Sequence, residues 1–178
     1  IVANTRIPTE KAHGWQIMHE CASLANVVLG GVVLLAPARV NNTFDGIDPF
    51  LHYGIEKKFS LEYIPCFDGL WYAGKNTMLQ NVLGFIATVY FAFAVSRRIN
   101  LESAQFPEVT ILSRDHRVLF ILSMLKAGKS GKTKFFYEMH DYPENNLVKK
   151  LYGIFFKRMT GIIVTNKWKA AELQTHFG

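Results

Sequence analysis

Strand-length apolar runs alternate with longer segments of helical period along most of this chain, and no other feature constrains its fold as strongly. Ile1–Asn4 reads as a first strand. A helix follows over Glu10–Ala25, with apolar Ala12, Trp15, Met18, Ala22 and Ala25 spaced by three and four. Thr9 is its expected N-cap. Val32–Ala36, closed by Pro37, reads as the second strand. A loop with Asn41, Asn42, Asp45, Gly46 and Pro49 comes next, and Phe59–Ile64 is the third strand. Beyond these the pattern predicts a helix over about 76–97, a strand at Val109–Leu112 and a helix at Val118–Lys126. A strand at Lys134–Met139, a helix at Leu147–Met159, a strand at Gly161–Thr165 and a helix at Lys167–His176 complete it. Apolar strands separated by helices imply an α/β fold, a three-layer, doubly wound and mainly parallel sheet in one domain over residues 1–178.

Length and composition agree. The 178 residues suffice for one sizeable core, and 49% hydrophobic with 19% charged residues fits a folded chain. Cys21 and Cys66 are too few for a disulfide framework and form no CxxC pair, so two reduced thiols and no metal site are expected. The net charge of +6 is uneven: residues 1–89 carry 6 Lys/Arg against 7 Asp/Glu, and residues 90–178 carry 14 against 7. A basic half suits a phosphate, an anionic membrane or nucleic acid, or equally a solvated surface, and no run of five like charges appears. No nucleic-acid partner is expected. Ile1 opens inside a strand-like stretch without a signal peptide, and AAELQTHFG stops where a helix would be finishing. Both ends are therefore expected to be cuts within a longer protein.

Met78–Val95 is 18 residues without a formal charge, followed by Arg97 and Arg98. That meets the lower limit for a bilayer span. Gln80, Asn81 and Gly84, and the alternation continuing on both sides, favour a buried or partly membrane-facing helix instead. The expected location is cytoplasmic, with peripheral contact at the inner face of the membrane.

In doubly wound sheets ligands bind beyond the carboxyl ends of the strands. That rule selects Arg6, Pro37–Asn42, Ser113–His116, His140–Pro143 and Asn166. AGKSGKT at 127–133 is not a phosphate loop: Lys126 stands where the first glycine is needed, and the segment runs from helix to strand. No GxGxxG follows a strand. In NTRIPTEKAHGWQ, Gly14 and the helix amides allow close approach of an anion, with Lys11 and His13 beside them, or they form an ordinary helix start. In SRDHR, Asp115 caps the next helix and Arg114 points to a ligand. FFYEMHDYP carries the most weight, since Phe135–Met139 delivers His140 and Asp141 to a strand's carboxyl end. A histidine there exchanges a proton near neutral pH or hydrogen-bonds a substrate hydroxyl.

Taken in order, RIPTEKAHGWQIMHECASLA, VVLLAPARVNN, SRD, YEMHD and GIIVTNKWKAAEL resemble the N-terminal domain of retaining GT-B glycosyltransferases of family 4, the group 1 transferases. The resemblance spans nearly the whole chain and implies a Rossmann-like, acceptor-side domain facing a C-terminal nucleotide-sugar domain that is absent from these residues. It implies that Gly14 lies near the donor phosphates and that His140 contacts the transferred sugar. The donor phosphate itself would assist same-face attack, so His140 positions and polarises. Arg6, Lys11, His13, Arg114 and Asp141 would bind substrate. The nucleotide sugar is a co-substrate, the acceptor is a sugar or lipid-linked hydroxyl, and neither cofactor nor metal is implied. The chain departs from the family in having Ala12-His13-Gly14 in place of a Gly-Gly pair, and in lacking an E-x7-E pattern, which belongs to the second domain. Alone, these residues are expected to transfer little or no sugar. The alternative is a non-catalytic binding or assembly domain whose basic surface faces a partner or a membrane.

Overall fold

A computed structural model of the chain describes residues 1–68, 77–128, 133–140 and 145–177. The fold is α/β, with two parallel sheets of two and three strands alternating with helices, and is compatible with a Rossmann-like domain. The chain divides into two compact units, Ile1–Val95 and Ser96–Gly178.

In the first unit β1 (Val33–Pro37) and β2 (Ser60–Ile64) pair in parallel, Val33 opposite Ser60 and Pro37 opposite Ile64. The opening residues lie along the other side of β1, but as a single bridge, Val2 to Leu35, and not as the full strand expected at Ile1–Asn4. Backbone bonds from Ala3 N to Leu35 O and from Leu35 N to Ile1 O hold them there. Helix α1 (Ala12–Ala25) starts two residues later than expected. Its N-cap is Lys11, without a side-chain cap bond. Thr9 stands two residues earlier, its Oγ1 accepting from the Lys11 amide at 3.4 Å, while its own amide donates to the Tyr53 hydroxyl at 2.7 Å, which donates back to the Thr9 carbonyl at 2.9 Å. The stretch read as a loop contains a 3-10 turn at Asn42–Phe44 and a short α2 (Pro49–Tyr53). In α2, Asp48 caps the helix by accepting from the Phe50 and Leu51 amides, Pro49 opens it, and Gly54 closes it at φ 65°. Ile17, Met18, Cys21, Leu34, Ala36, Phe50, Tyr53 and Phe59 form the core beneath.

Helix α3 (Thr77–Glu102) runs five residues past its expected end, its final turns carrying an ion pair between Arg98 and Glu102.

In the second unit β3 (Val109–Ser113), β4 (Thr133–Met139) and β5 (Gly161–Val164) form a parallel sheet with β4 central. The segment joining α4 (His116–Met124) to β4 runs from helix to strand, as its sequence order requires. Residues 129–132 of that segment lie outside the described residues. Helices α5 (Asn146–Phe156) and α6 (Lys167–Phe177) follow β4 and β5. Val118, Leu119, Leu122, Phe135, Tyr137, Met139, Phe155 and Phe156 are buried, with the Tyr137 and Phe155 rings edge to face at 5.1 Å.

Candidate functional site

Chemistry-bearing side chains gather at the carboxyl ends of the parallel strands in each unit. In the second unit Ser113 pairs with Tyr137 and Met139 with Val164. Continuing the β3–β4 register by one residue sets Arg114 opposite Glu138. Alternation along β4 turns Phe135, Tyr137 and Met139 to one face and Glu138 to the other. Glu138 is buried, 9% exposed, and both of its oxygens are engaged. Arg114 Nε donates to Oε2 at 2.7 Å, and His140 Nε2 lies 2.8 Å from Oε1. Burial pushes the Glu138 carboxyl up, but the hydrogen bond and charge of Arg114, then those of His140, outweigh it and hold the group below the usual carboxylate range.

A carboxylate only accepts, so neutral His140 carries its proton on Nε2 and presents Nδ1 as the acceptor nitrogen. Lys169, in the first turn of α6, donates from Nζ to the His140 carbonyl and reaches Thr165 Oγ1 at 3.4 Å. Asn166 Oδ1 accepts from the Lys169 amide at 2.9 Å and so caps that helix. Asp115 caps α4, accepting from Arg117 N and Val118 N, as its sequence suggests. Next to it the His116 imidazole meets the Tyr152 hydroxyl at 3.2 Å, and burial lowers its pKa. The arrangement combines an oriented imidazole with two cationic side chains, a set suited to positioning a polar or anionic ligand. Asp141 lies outside the described residues.

In the first unit Arg6, Arg39 and Asp68 come together beyond Val2, β1 and β2. Arg6 pairs with Asp68 at 3.6 Å, Val40 N donates to Asp68 at 3.1 Å, and Arg39 donates to Asn4 Oδ1 at 2.7 Å. Arg39 Nε and Asp68 Oδ1 are buried without a hydrogen-bond partner among the described residues. With two guanidinium groups and one carboxylate, positive charge exceeds negative among these three side chains. Burial pushes the Cys66 thiol up against the pull of Arg39, so the thiol stays protonated at neutral pH. His13 Nε2 meets Thr5 Oγ1 at 2.6 Å, and Lys11 stands exposed at the start of α1. Gly14 is buried and its amide donates to Lys11 O. A Cβ at Gly14 would lie 2.3 Å from Thr9 Cγ2 and 2.6 Å from the Tyr53 hydroxyl, so packing inside this unit already requires glycine there.

Sequence reasoning selected Arg114 and His140, which the structure brings to one carboxylate, and Arg6, Lys11, His13 and Gly14, which fall in the first unit. It missed Glu138, Asp68 and Lys169. Glu138 left one signal, a charge next to the carboxyl end of a mainly apolar strand. Asp68 and Lys169 reach their sites through tertiary structure alone. Among the described residues no group of three metal-ligating side chains assembles. Compared with known proteins, the chain has no significant match to a family model, a curated protein or a solved structure.

Proposed function

We propose that the chain is the acceptor-side domain of a glycosyltransferase that moves a sugar from a nucleotide-sugar donor to an acceptor hydroxyl with retention. One observation carries the reading: a buried carboxylate binds a histidine and an arginine at the strand ends where α/β sheets receive ligands. The parallel α/β architecture is compatible with it, and the finer three-layer, doubly wound GT-B arrangement belongs to the proposal.

In this reading His140, fixed by Glu138, accepts a hydrogen bond from a hydroxyl of the transferred sugar through Nδ1. Arg114 supplies fixed positive charge, and Asp141 is a further substrate contact. Arg6, Lys11 and His13 bind polar groups of the substrates, and Gly14 belongs to the helix start near the donor phosphates. The catalytic work is orientation and electrostatic stabilisation, without an enzymic nucleophile. The nucleotide-sugar side belongs to a second domain, so these 178 residues alone bind donor weakly and transfer little sugar.

The test is release of nucleoside diphosphate by the full-length protein from a panel of sugar nucleotides, alongside His140→Ala. Loss of about 10²-fold or more in kcat is expected for the variant. Full activity in His140→Ala would remove the role assigned to that residue. No turnover of any sugar nucleotide by the wild type would favour the rival, a non-catalytic binding or assembly domain. The rival draws its own support from the charge excess of the second half of the chain.

A further inference from the structure

Helix α3 has two opposed apolar faces, and only one of them is buried by the protein. At about 100° per residue, Ala87, Thr88, Phe91, Ala92, Val95, Ser96 and Ile99 share one side of the helix, and all are buried. Thr88 Oγ1 also accepts from Asn4 Nδ2 at 3.2 Å. On the other side lie Val82, Ile86, Tyr90 and Phe93, which are 48%, 47%, 53% and 52% exposed, and Met78 and Phe85, 78% and 55% exposed, flank them at the edge of the buried arc. The helix reaches a mean hydropathy of 1.7 over its most apolar window, of which only 28% is buried. A core helix of this hydropathy hides most of its surface, and this one does not.

We propose that the exposed face of α3 docks on the surface of an anionic phospholipid bilayer, the helix lying in the plane of the headgroups. This inference does not depend on the glycosyltransferase reading. Three observations select a lipid surface as the occupant. No formal charge occurs from Thr77 to Ser96, so seating the helix in the interface desolvates none. Three of the six exposed side chains are aromatic, and Tyr90 brings a polar tip suited to the headgroup layer. The first charges beyond the stripe are cations. Arg97 is exposed and continues the line of Phe93 one turn on, placing a guanidinium at headgroup level. The stretch from Arg97 onward also carries the whole positive excess of the chain, 14 Lys/Arg against 7 Asp/Glu, which attracts it to a negative surface. A transmembrane span is disfavoured because Phe91, Val95 and Ile99 are already buried within the protein on the opposite face.

The experiment is co-sedimentation of the chain with vesicles of phosphatidylcholine alone and of phosphatidylcholine mixed with phosphatidylglycerol. Binding to the mixed vesicles, weakened by added salt and released by alkaline carbonate, is expected. The double variant Phe85→Ser/Phe93→Ser should bind about tenfold more weakly or worse, and Arg97→Glu about tenfold more weakly, each with unchanged far-UV circular dichroism. A second double variant, Leu29→Ser/Leu51→Ser, removes exposed apolar side chains away from α3 and should bind like the wild type. The proposal fails if the mixed vesicles leave the chain in the supernatant, or if neutral vesicles bind it equally well. It fails equally if the α3 variants bind normally, or if only detergent extracts the protein. Concentration-dependent dimerisation that Phe85→Ser/Phe93→Ser abolishes, with no vesicle binding, would assign the face to a second copy instead.

Discussion

At the end of β4 a single carboxylate serves two partners, Arg114 through one oxygen and His140 through the other. Glu138→Gln keeps the shape but loses the charge that both partners face, and leaves the Arg114 guanidinium without its counter-charge. We expect a stability loss of about 2 kcal/mol at pH 7, measured by urea unfolding. The sign of its pH dependence follows from the pKa. The folded-state value lies below the ordinary 4.5, so the stabilisation is complete above the usual carboxylate range and is lost as pH falls through the depressed value. The gap between wild type and Glu138→Gln should therefore close on acidification, and a gap that stays constant to strongly acid pH would contradict this account. Gly14→Ala is a second test at this scale. Its methyl group meets Thr9 and a Tyr53 hydroxyl held by two hydrogen bonds, so neither neighbour moves freely. A loss of about 2 kcal/mol is expected by thermal or chemical unfolding.

Among the elements, α4 is the one whose cap was legible, although the helix begins at His116, two residues before the start expected at Val118. Asp115 was read as its cap, and its carboxylate accepts from two amides of the first turn. Asp115→Ala should cost about 1 kcal/mol, with the secondary structure content retained in far-UV spectra. Thr9 shows the limit of the same reasoning. It has the right residue type, and its hydroxyl accepts from the Lys11 amide at 3.4 Å, but α1 begins only at Ala12. Its backbone is bonded to a tyrosine 44 positions away, and local sequence contains no sign of that contact. Alternation of apolar runs located β1 to β5 within a residue or two, because buried parallel strands are apolar on both faces. The short α2 was hidden for another reason. Its five residues are too few to display a period, so only its cap, proline and closing glycine announced it.

Across the whole molecule, each unit has one strand flanked on both sides. β1 lies between Val2 and β2, and β4 lies between β3 and β5. Native-state hydrogen exchange should find the slowest amides of each unit around Leu34–Ala36 and Phe135–Tyr137. Faster exchange there than in the helices would overturn the assignment of these strands as the stable centres. The candidate site was legible where chemistry follows directly from a strand end, as at Arg114 and His140. It was illegible where a partner comes from inside a strand or from the next helix, as with Glu138 and Lys169, since a lone charge in sequence does not declare which neighbour it faces. The shared carboxylate has a consequence on an evolutionary timescale. A lineage that loses Glu138 inherits a stranded guanidinium and an imidazole with no fixed tautomer, so mutations at 114, 138 and 140 should survive in combination more often than singly. Selection from a library randomised at these three positions would display that dependence as covariation.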